Sequence, residues 1–361
     1  MINKKWVMRP YQEGDELAIV KLYRLIFGEE LDIQDWKWHY IDNPVGLITI
    51  TLAEDENGLV GQYALRPVRM KIGNTTRIAA FSMDTMVHPD YRGQGMFVKL
   101  AMHLYEEAAR QSIPLIYGFG NENSHHGLVA RLDWVDLCKR VPLFVKPLNM
   151  RRILSTKVGS RFLAAVGGWV GQGGWTLLCP IKRSELPDGC TIQQVASFDE
   201  RVDRLWEQAS SAFNIILVRD YRYLDWRYVK KPGDSYIIFT LERAGDILGY
   251  VVLKSIERYG LQLGFVVDLL TVPQQPDISS YLVSKAVEYF VELRKDVIGC
   301  LMLRQSPYAQ ALKANGFLFV PTRLHPEEMY LGVRCNSEDY LAEFITNPSN
   351  WYVTWGDHDA I

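Results

Sequence analysis

The chain has 361 residues, a length that suits two domains of ordinary size. Hydrophobic residues make up 48% and charged residues 23%, which is typical of a globular protein and argues against a disordered one. The formal net charge of −2 and the lack of a strongly basic run argue against binding to nucleic acid or to an anionic membrane by bulk electrostatics.

Cysteine usage and the first residues indicate the cellular compartment. The five cysteines are an odd number without CxxC spacing, and residues 1–6 lack the apolar core of a secretory signal. We therefore expect a cytoplasmic protein. No pair of histidines has metal-ligand spacing with a supporting carboxylate, so we expect no metal.

The first half of the chain alternates helical and extended patterns, with turn residues between them. Pro44 closes the second helix, and Gly58 and Gly73 mark turns between strands. The elements predicted in chain order are a strand at 6–9, helices at 15–27 and 31–40, strands at 48–53, 61–68 and 81–87, a helix at 98–110, and a strand and helix between 117 and 134.

A glycine-rich turn joins the strand at 81–87 to the helix at 98–110. It reads Arg92-Gly93-Gln94-Gly95. Glycines let the backbone fold tightly and direct successive N–H groups at a ligand, and the helix N-terminus adds a partial positive charge. The pattern predicts a site where main-chain groups hold a pyrophosphate, although a β-to-α turn that is merely rich in glycine looks the same.

This turn resembles the acetyl-CoA loop of the GCN5-related N-acetyltransferase (GNAT) superfamily, which reads Arg or Gln, two residues, Gly, one residue, then Gly or Ala. Arg92, Gly95 and Phe97 occupy the three defining positions. Phe97 departs from the pattern, so we expect its ring to turn away from the diphosphate or to pack under the helix. The resemblance implies acetyl-CoA contacts at Met86, Val87, Arg92, Gly93, Gln94, Gly95, Met96, Phe97 and Asn123.

Residues 162–181 contain no charged residue, and their length just reaches the roughly 20 residues that span a bilayer. Their many glycines lower both hydrophobicity and helix propensity. We expect a buried or interface-packing connector. The alternatives are contact with a membrane surface and homodimerisation through an exposed apolar face.

The chain contains an internal repeat. Trp38-His39-Tyr40, Pro44 and Gly61 recur 188 positions later as Trp226-Arg227-Tyr228, Pro232 and Gly249, and Phe81, Asp84 and Pro89 recur after 184 positions as Phe265, Asp268 and Pro273. The second copy has Pro273 and Pro276 where the first has its glycine turn, and proline cannot donate a hydrogen bond. We expect this copy to keep the scaffold and to have lost the cofactor site.

The predicted fold class is α/β (α+β), with two tandem GNAT-like domains that each have a mixed, mostly antiparallel sheet flanked by helices. In the second copy we predict a strand at 191–195, helices at 202–212 and 220–228, strands at 236–241, 249–254 and 264–270, and a helix at 279–293. The predicted boundaries are 5–148 for the N-terminal acetyl-CoA-binding domain, 149–189 for the connector, 190–345 for the degenerate domain and 346–361 for an aromatic and acidic tail.

Acetyl transfer to an amine needs a group that takes the amine proton, a donor for the oxyanion and a proton for the leaving thiolate. Asp84 lies two residues before Met86 on one predicted strand, so strand alternation predicts that their side chains share a face. Asp84 would bind the substrate ammonium or accept its proton. Asp268 holds the same place in the degenerate copy, which favours a scaffold role for both.

Many GNAT members protonate the thiolate with a tyrosine on the helix after the fifth strand, and the resemblance places that position near Val129. No phenol is available there. His125 and His126 are candidates for an acid or base at the start of this helix, although adjacent histidines in such a place are more often polar surface. Ser124 is expected to cap the helix.

The end of the chain combines large aromatic residues with Asp357, His358 and Asp359. Because a frayed tail is usually poor in large aromatic residues, we expect this segment to be docked. Some tandem GNAT members bring their terminus into the N-terminal active site, where Asp357, His358, Asp359 or the Ile361 carboxylate would supply acid–base chemistry. The alternative is that Trp351 and Trp355 complete the second domain while the acids lie in solvent.

Together these features predict an acetyl-CoA-dependent N-acetyltransferase that transfers acetyl directly to a primary amine of a small molecule such as an amino sugar or polyamine. The candidate catalytic residues are Asp84, His125, Asp357 and Asp359. The alternative is a non-catalytic acyl-CoA-binding or scaffold protein with the same fold.

Overall fold

The computed structural model describes residues 5–46, 49–156, 184–320, 329–336 and 339–358. The chain divides into two compact units. The first lies within Met1–Lys139, Lys230–Asp234 and Met329–Asn350, and the second within Arg140–Val229, Ser235–Glu328 and Trp351–Ile361. The expected connector at 162–181 lies outside the described residues, so its proposed membrane or dimer contacts stay a prediction.

The first unit is built on a mixed sheet with strand order β1-β2-β3-β4-β5-β15-β6. Neighbouring strands are antiparallel except for β4 and β5, which are parallel. The strands are β1 (Val7–Pro10), β2 (Thr49–Asp55), β3 (Gly58–Ile72), β4 (Thr75–Val87), β5 (Leu115–Gly120), β6 (Val135–Cys138) and β15 (Tyr330–Cys335). The helices are α1 (Glu16–Phe27), α2 (Ile33–Tyr40), α3 (Met96–Arg110), α4 (Glu122–Arg131) and α10 (Asp339–Thr346).

Helix α3 shows why the sequence folds as it does near the glycine turn. Gly95 adopts φ +76° and is the N-cap, and the helix begins at Met96. Apolar side chains follow at intervals of four, and Leu100, Leu104 and Ala108 are at most 3% exposed. This apolar stripe packs in one core with residues of β3 and α4, so the start of α3 is held firmly at the end of β4.

The second unit repeats this plan, with strand order β14-β7-β13-β12-β11-β10-β8. Its central parallel pair is β12 and β13. The strands of this sheet are β7 (Leu143–Pro147), β8 (Cys190–Val195), β10 (Ile237–Arg243), β11 (Asp246–Arg258), β12 (Leu261–Thr271), β13 (Val297–Leu301) and β14 (Leu318–Val320). A short strand, β9 (Ile215–Leu217), also belongs to the second unit but lies outside this strand order. The helices are α5 (Met150–Leu154), α6 (Arg201–Ser210), α7 (Tyr221–Leu224, followed by a π-helical turn at Asp225–Val229), α8 (Pro276–Glu292) and α9 (Ala309–Ala314).

Each strand order includes a strand from a distant part of the chain. Strand β15 inserts between β5 and β6 of the first unit, and β7 inserts between β13 and β14 of the second. The boundaries predicted from the sequence are linear, so they do not describe this exchange. Both exchanged strands complete the half of a sheet that lies beyond its central parallel pair.

Candidate functional site

The glycine turn of the first unit forms the conformation that its sequence predicts. A short 3-10 helix at Pro89–Tyr91 leads into it, and Gly93 and Gly95 both adopt φ +76°. This left-handed conformation favours glycine because any side chain there brings steric strain. An ideal Cβ atom on either glycine would meet no protein atom within 4 Å, so both backbone positions border open space.

The N-terminus of α3 follows this turn directly. The first bond of the helix runs from the Lys99 N–H to the Gly95 carbonyl at 3.1 Å, so the N–H groups of Met96, Phe97 and Val98 precede the hydrogen-bonded ladder. Such N–H groups, together with the helix dipole, attract anions. Arg92 is exposed at the same turn and adds a positive charge.

Strands β4 and β5 pair only briefly. Their parallel ladder consists of Ala80↔Ile116 and Phe81↔Tyr117, although β4 continues to Val87 and β5 to Gly120. Beyond this ladder the two strands therefore leave backbone groups that can pair with a ligand. We call the end of the ladder, where Ser82 follows Phe81, the vertex.

The second unit differs at both features. Its β12–β13 ladder has four pairs and extends one residue further, to Val266↔Cys300. The connection to α8 contains Pro273 and Gln274, which has φ +61°, and α8 begins with Pro276. Proline at the first helical position removes one of the N–H groups that an anion would use.

Asp84 lies in a β-bulge next to the vertex. Ala64 pairs with Met83 and Gln62 with Met86, so both Asp84 and Thr85 fit opposite a single β3 residue. Asp84 adopts φ +48°, an uncommon conformation that aspartate tolerates better than most residues. The extra residue breaks the alternation of the strand, so the argument that Asp84 and Met86 share a face was wrong.

The Asp84 side chain has a defined hydrogen bond. The Tyr40 hydroxyl donates to its Oδ2 at 2.7 Å, and Gln62 Nε2 donates to the Asp84 carbonyl at 3.0 Å. Asp84 remains partly exposed, whereas Met86 is fully buried. The strained backbone and the retained exposure favour a functional role for this carboxylate.

Asp268, the repeat counterpart of Asp84, has a different environment. It is 1% exposed and accepts hydrogen bonds from Tyr228 and Tyr250 at 3.1 and 3.0 Å. Thr354 donates to its other oxygen at 3.1 Å, and Arg219 Nε lies 3.4 Å away. A buried carboxylate that is paired in this way is part of the core.

Phe97 packs under its helix, which is one of the two arrangements that the sequence allows. Its Cε1 atom would lie 2.8 Å from an ideal Cβ on Gly127 of α4, so the glycine makes room for the ring. The ring also lies 6.0 Å from that of Tyr63, centroid to centroid. Phe97 thus fills the space between α3 and α4 and leaves the main chain at the glycine turn accessible.

His125 forms a pair that the sequence did not reveal. Its Nε2 lies 2.9 Å from Oδ1 of Asp136 on β6, and its ring stacks on that of Tyr330 at 3.8 Å between centroids. Tyr330 belongs to the exchanged strand β15, far away in sequence, so no local signal predicts this contact. His125 is partly exposed.

The start of α4 is organised by a capping box. Asn121 is the N-cap, and its side chain accepts from the N–H groups of Asn123 and Ser124 at 3.0 and 3.1 Å. The expectation that Ser124 is the cap was wrong, because Ser124 instead occupies the third helical position of this box. Asn123, His126 and Val129 are exposed.

The residues before the end of the chain pack in the second unit. Trp351 is 4% exposed, and Asp357 is 1% exposed and accepts from Arg219 Nη2 at 2.7 Å. Burial raises the pKa of Asp357 above its ordinary value, while the Arg219 charge opposes this shift. Asp357 thus forms a buried ion pair with Arg219, which is a structural role. Asp359 lies outside the described residues.

Two further searches cover the described part of the chain. None of its helices combines the length and the apolar character needed to cross a membrane. Within the same residues, no group of three or more His, Cys, Asp or Glu side chains is arranged to hold a metal ion.

Known proteins share this architecture. A family model described as an acetyltransferase (GNAT) domain matches residues 7–134. A GCN5-related N-acetyltransferase from Anabaena variabilis ATCC 29413 is 11% identical with a TM-score of 0.66, covering 92% of this chain and 73% of that one. Saccharomyces cerevisiae N-myristoyltransferase with bound myristoyl-CoA is 12% identical with a TM-score of 0.62, and the match covers 92% of this chain and 79% of that one.

A third structure is a conserved protein of unknown function from Enterococcus faecalis V583, a probable N-acyltransferase. It is 10% identical with a TM-score of 0.63, covering 92% of this chain and 73% of that one. No curated protein sequence matches the chain. At these identities the structures show the fold, and the predicted class of two tandem domains with mixed sheets flanked by helices is confirmed.

Proposed function

Because the chain belongs to the GNAT superfamily of acyltransferases through its domain at residues 7–134, we propose that it is an acetyl-CoA-dependent N-acetyltransferase acting on a primary amine of a small molecule. One observation carries the proposal. In the first unit an open glycine turn at a helix N-terminus lies at the end of a strand whose parallel ladder stops early. In the second unit the turn before α8 contains no glycine, α8 begins with proline, and the ladder extends one residue further.

The diphosphate of the donor would lie against the main chain of the turn. Gly93 and Gly95 allow close approach, the first N–H groups of α3 donate, and Arg92 pairs with the charge. The pantetheine arm would then follow the free edge of β4 past Val87 and Met86, as the GNAT resemblance implies. This path brings the thioester toward the vertex and Asp84.

Asp84 would hold the substrate ammonium and take its proton, directly or through water. Its hydrogen bond from Tyr40 fixes the orientation of the carboxylate, and its partial exposure lets an amine approach. The product amide forms when the neutral amine attacks the thioester carbonyl and the CoA thiolate leaves. His125, oriented by Asp136, is the second candidate for proton transfer.

Isothermal titration of the purified chain with acetyl-CoA tests the binding part of the proposal. We expect one molecule per chain. Thiol release from acetyl-CoA across a panel of amino sugars, polyamines and peptide N-termini then tests the activity and identifies the acceptor. Saturable binding without thiol release above the background rate for any amine would favour the alternative, a non-catalytic acyl-CoA-binding or scaffold protein.

A further inference from the structure

Four polar side chains form a continuous chain of hydrogen bonds beneath the vertex, which we call the hydroxyl chain. It runs from Trp134 through Tyr105 and Tyr63 to Ser82. Indole Nε1 lies 2.9 Å from the Tyr105 hydroxyl, the two phenol oxygens are 2.6 Å apart, and the Tyr63 hydroxyl lies 2.9 Å from Ser82 Oγ. Trp134, Tyr105 and Tyr63 are buried, whereas Ser82 is partly exposed.

The indole N–H of Trp134, at one end of the hydroxyl chain, sets the direction of these hydrogen bonds. Indole N–H can only donate, so the Tyr105 oxygen accepts from Trp134. The Tyr105 O–H then donates to Tyr63, since the opposite direction would leave a buried O–H without an acceptor. The Tyr63 O–H donates in turn to Ser82. Burial raises the pKa of both phenols, so both keep their protons.

Ser82 consequently accepts at its oxygen and keeps its own proton for another partner. It lies on β4 directly after Phe81, where the ladder with β5 stops. Across the vertex, an ideal Cβ on Gly118 of β5 would lie 3.4 Å from the Ser82 Cβ. Glycine at this position therefore lets the two strands approach closely next to Ser82, which is partly exposed.

The second unit shows that the fold does not need the hydroxyl chain. Leu65 pairs with Ser82 in the first unit, and the repeat counterpart of this pair is Leu253↔Val266. The counterpart of Tyr63 at the same 188-residue offset is Val251. Val266 and Val251 are buried in a stable core at 1% and 0% exposure. At these two compared positions the first unit has the hydroxyls of Tyr63 and Ser82, whereas the second unit, which has prolines in place of the glycine turn, has valines.

We propose that Ser82, backed by the hydroxyl chain, donates a hydrogen bond to the carbonyl oxygen of the acyl thioester. This inference rests on the proposed function. When the amine nitrogen attacks the carbonyl carbon, the π electrons of the C=O bond move to the oxygen, which the Ser82 O–H stabilises. The oxyanion then re-forms the C=O bond of the new amide as the C–S bond breaks, sulfur leaves with the electron pair of that bond as thiolate, and the amine proton passes to the base. Successive donors polarise one another, which strengthens the last hydrogen bond.

The test uses [1-13C]acetyl-CoA bound to the full chain and the infrared stretch of its labelled carbonyl, which needs no acceptor amine. A hydrogen bond weakens the C=O bond, so we expect the band to move to lower wavenumber in the wild type and in Ser82→Thr. In Ser82→Ala the shift should vanish, and in Tyr63→Phe it should shrink. Ser255→Ala, on an exposed serine of the second unit, is the matched control.

Calorimetry separates this inference from the proposed function. With acetyl-CoA affinity near wild type, an unchanged band in Ser82→Ala or in Tyr63→Phe would overturn the inference alone. Failure of the wild type to bind acetyl-CoA would overturn both. Turnover with the amine found in the panel gives a second readout, for which we expect Ser82→Ala to lower kcat by roughly 10²-fold with KM little changed. Equal turnover in Ser82→Ala and wild type would also contradict the role.

Discussion

Gly95→Ala is the sharpest test of where the cofactor lies. An ideal Cβ at this position meets no protein atom within 4 Å, so the new methyl group does not disturb packing. It occupies open space at the N-cap of α3, next to the place that the proposal gives to the diphosphate. Losing about one charge-assisted main-chain hydrogen bond costs ~2 kcal/mol, or roughly a 30-fold rise in the Kd of acetyl-CoA.

The same substitution also strains the backbone, and the resulting loss of stability must be separated from the loss of acetyl-CoA affinity. A left-handed alanine costs roughly 1–2 kcal/mol of stability. Gly73, in the turn between β3 and β4, has φ +61° and equally open surroundings, so Gly73→Ala carries comparable strain away from the proposed site. We expect similar losses of melting temperature in both variants and weaker binding, by calorimetry, only in Gly95→Ala. Equal Kd values in the two variants would refute the placement of the diphosphate.

Four further substitutions test the roles of charged groups. Asp84→Asn should lower kcat by roughly 10²-fold with little change in acetyl-CoA affinity or melting temperature, whereas Asp268→Asn should mainly destabilise the chain; a large drop in melting temperature for both would show a shared scaffold role. Asp136→Asn should lower kcat if the carboxylate orients His125 for proton transfer, and an unaltered kcat would remove His125 from the mechanism. Asp357→Asn leaves a buried guanidinium with a weakened partner, so calorimetry should show a loss of up to about 3–5 kcal/mol in unfolding free energy with acetyl-CoA binding intact, and a wild-type melting curve would contradict the structural role.

The secondary structure near the site could be read from the sequence because its signals are local. Glycines at 93 and 95 adopt the left-handed conformation that their turn requires, and apolar spacing set the length of α3. The two copies of the repeat also agree in strand pairing, since β4 and β12 both pair in parallel with the next strand. These features depend on residues that lie close together in the chain.

What the sequence did not reveal depends on distant partners. The bulge at Asp84 arises from the register of β3 against β4, which strand alternation cannot predict. Tyr330 stacks on His125 only because β15 inserts beside β5. The hydroxyl chain likewise joins three elements and one loop residue that no short motif connects.

The equivalent aspartates of the two copies, Asp84 and Asp268, have different surroundings. Asp32 caps α2 and Asp220 caps α7 at the 188-residue offset, so the residues before them, Leu31 and Arg219, are counterparts. In the second unit the guanidinium of Arg219 supplies a positive charge beside Asp268 within the core. The first unit has an apolar residue at that position and keeps its aspartate partly exposed. The proposed amine substrate would bring a positive charge to Asp84, as Arg219 brings one to Asp268 within the chain. The same position of the scaffold then serves a proposed acceptor site in one unit and a buried ion pair in the other.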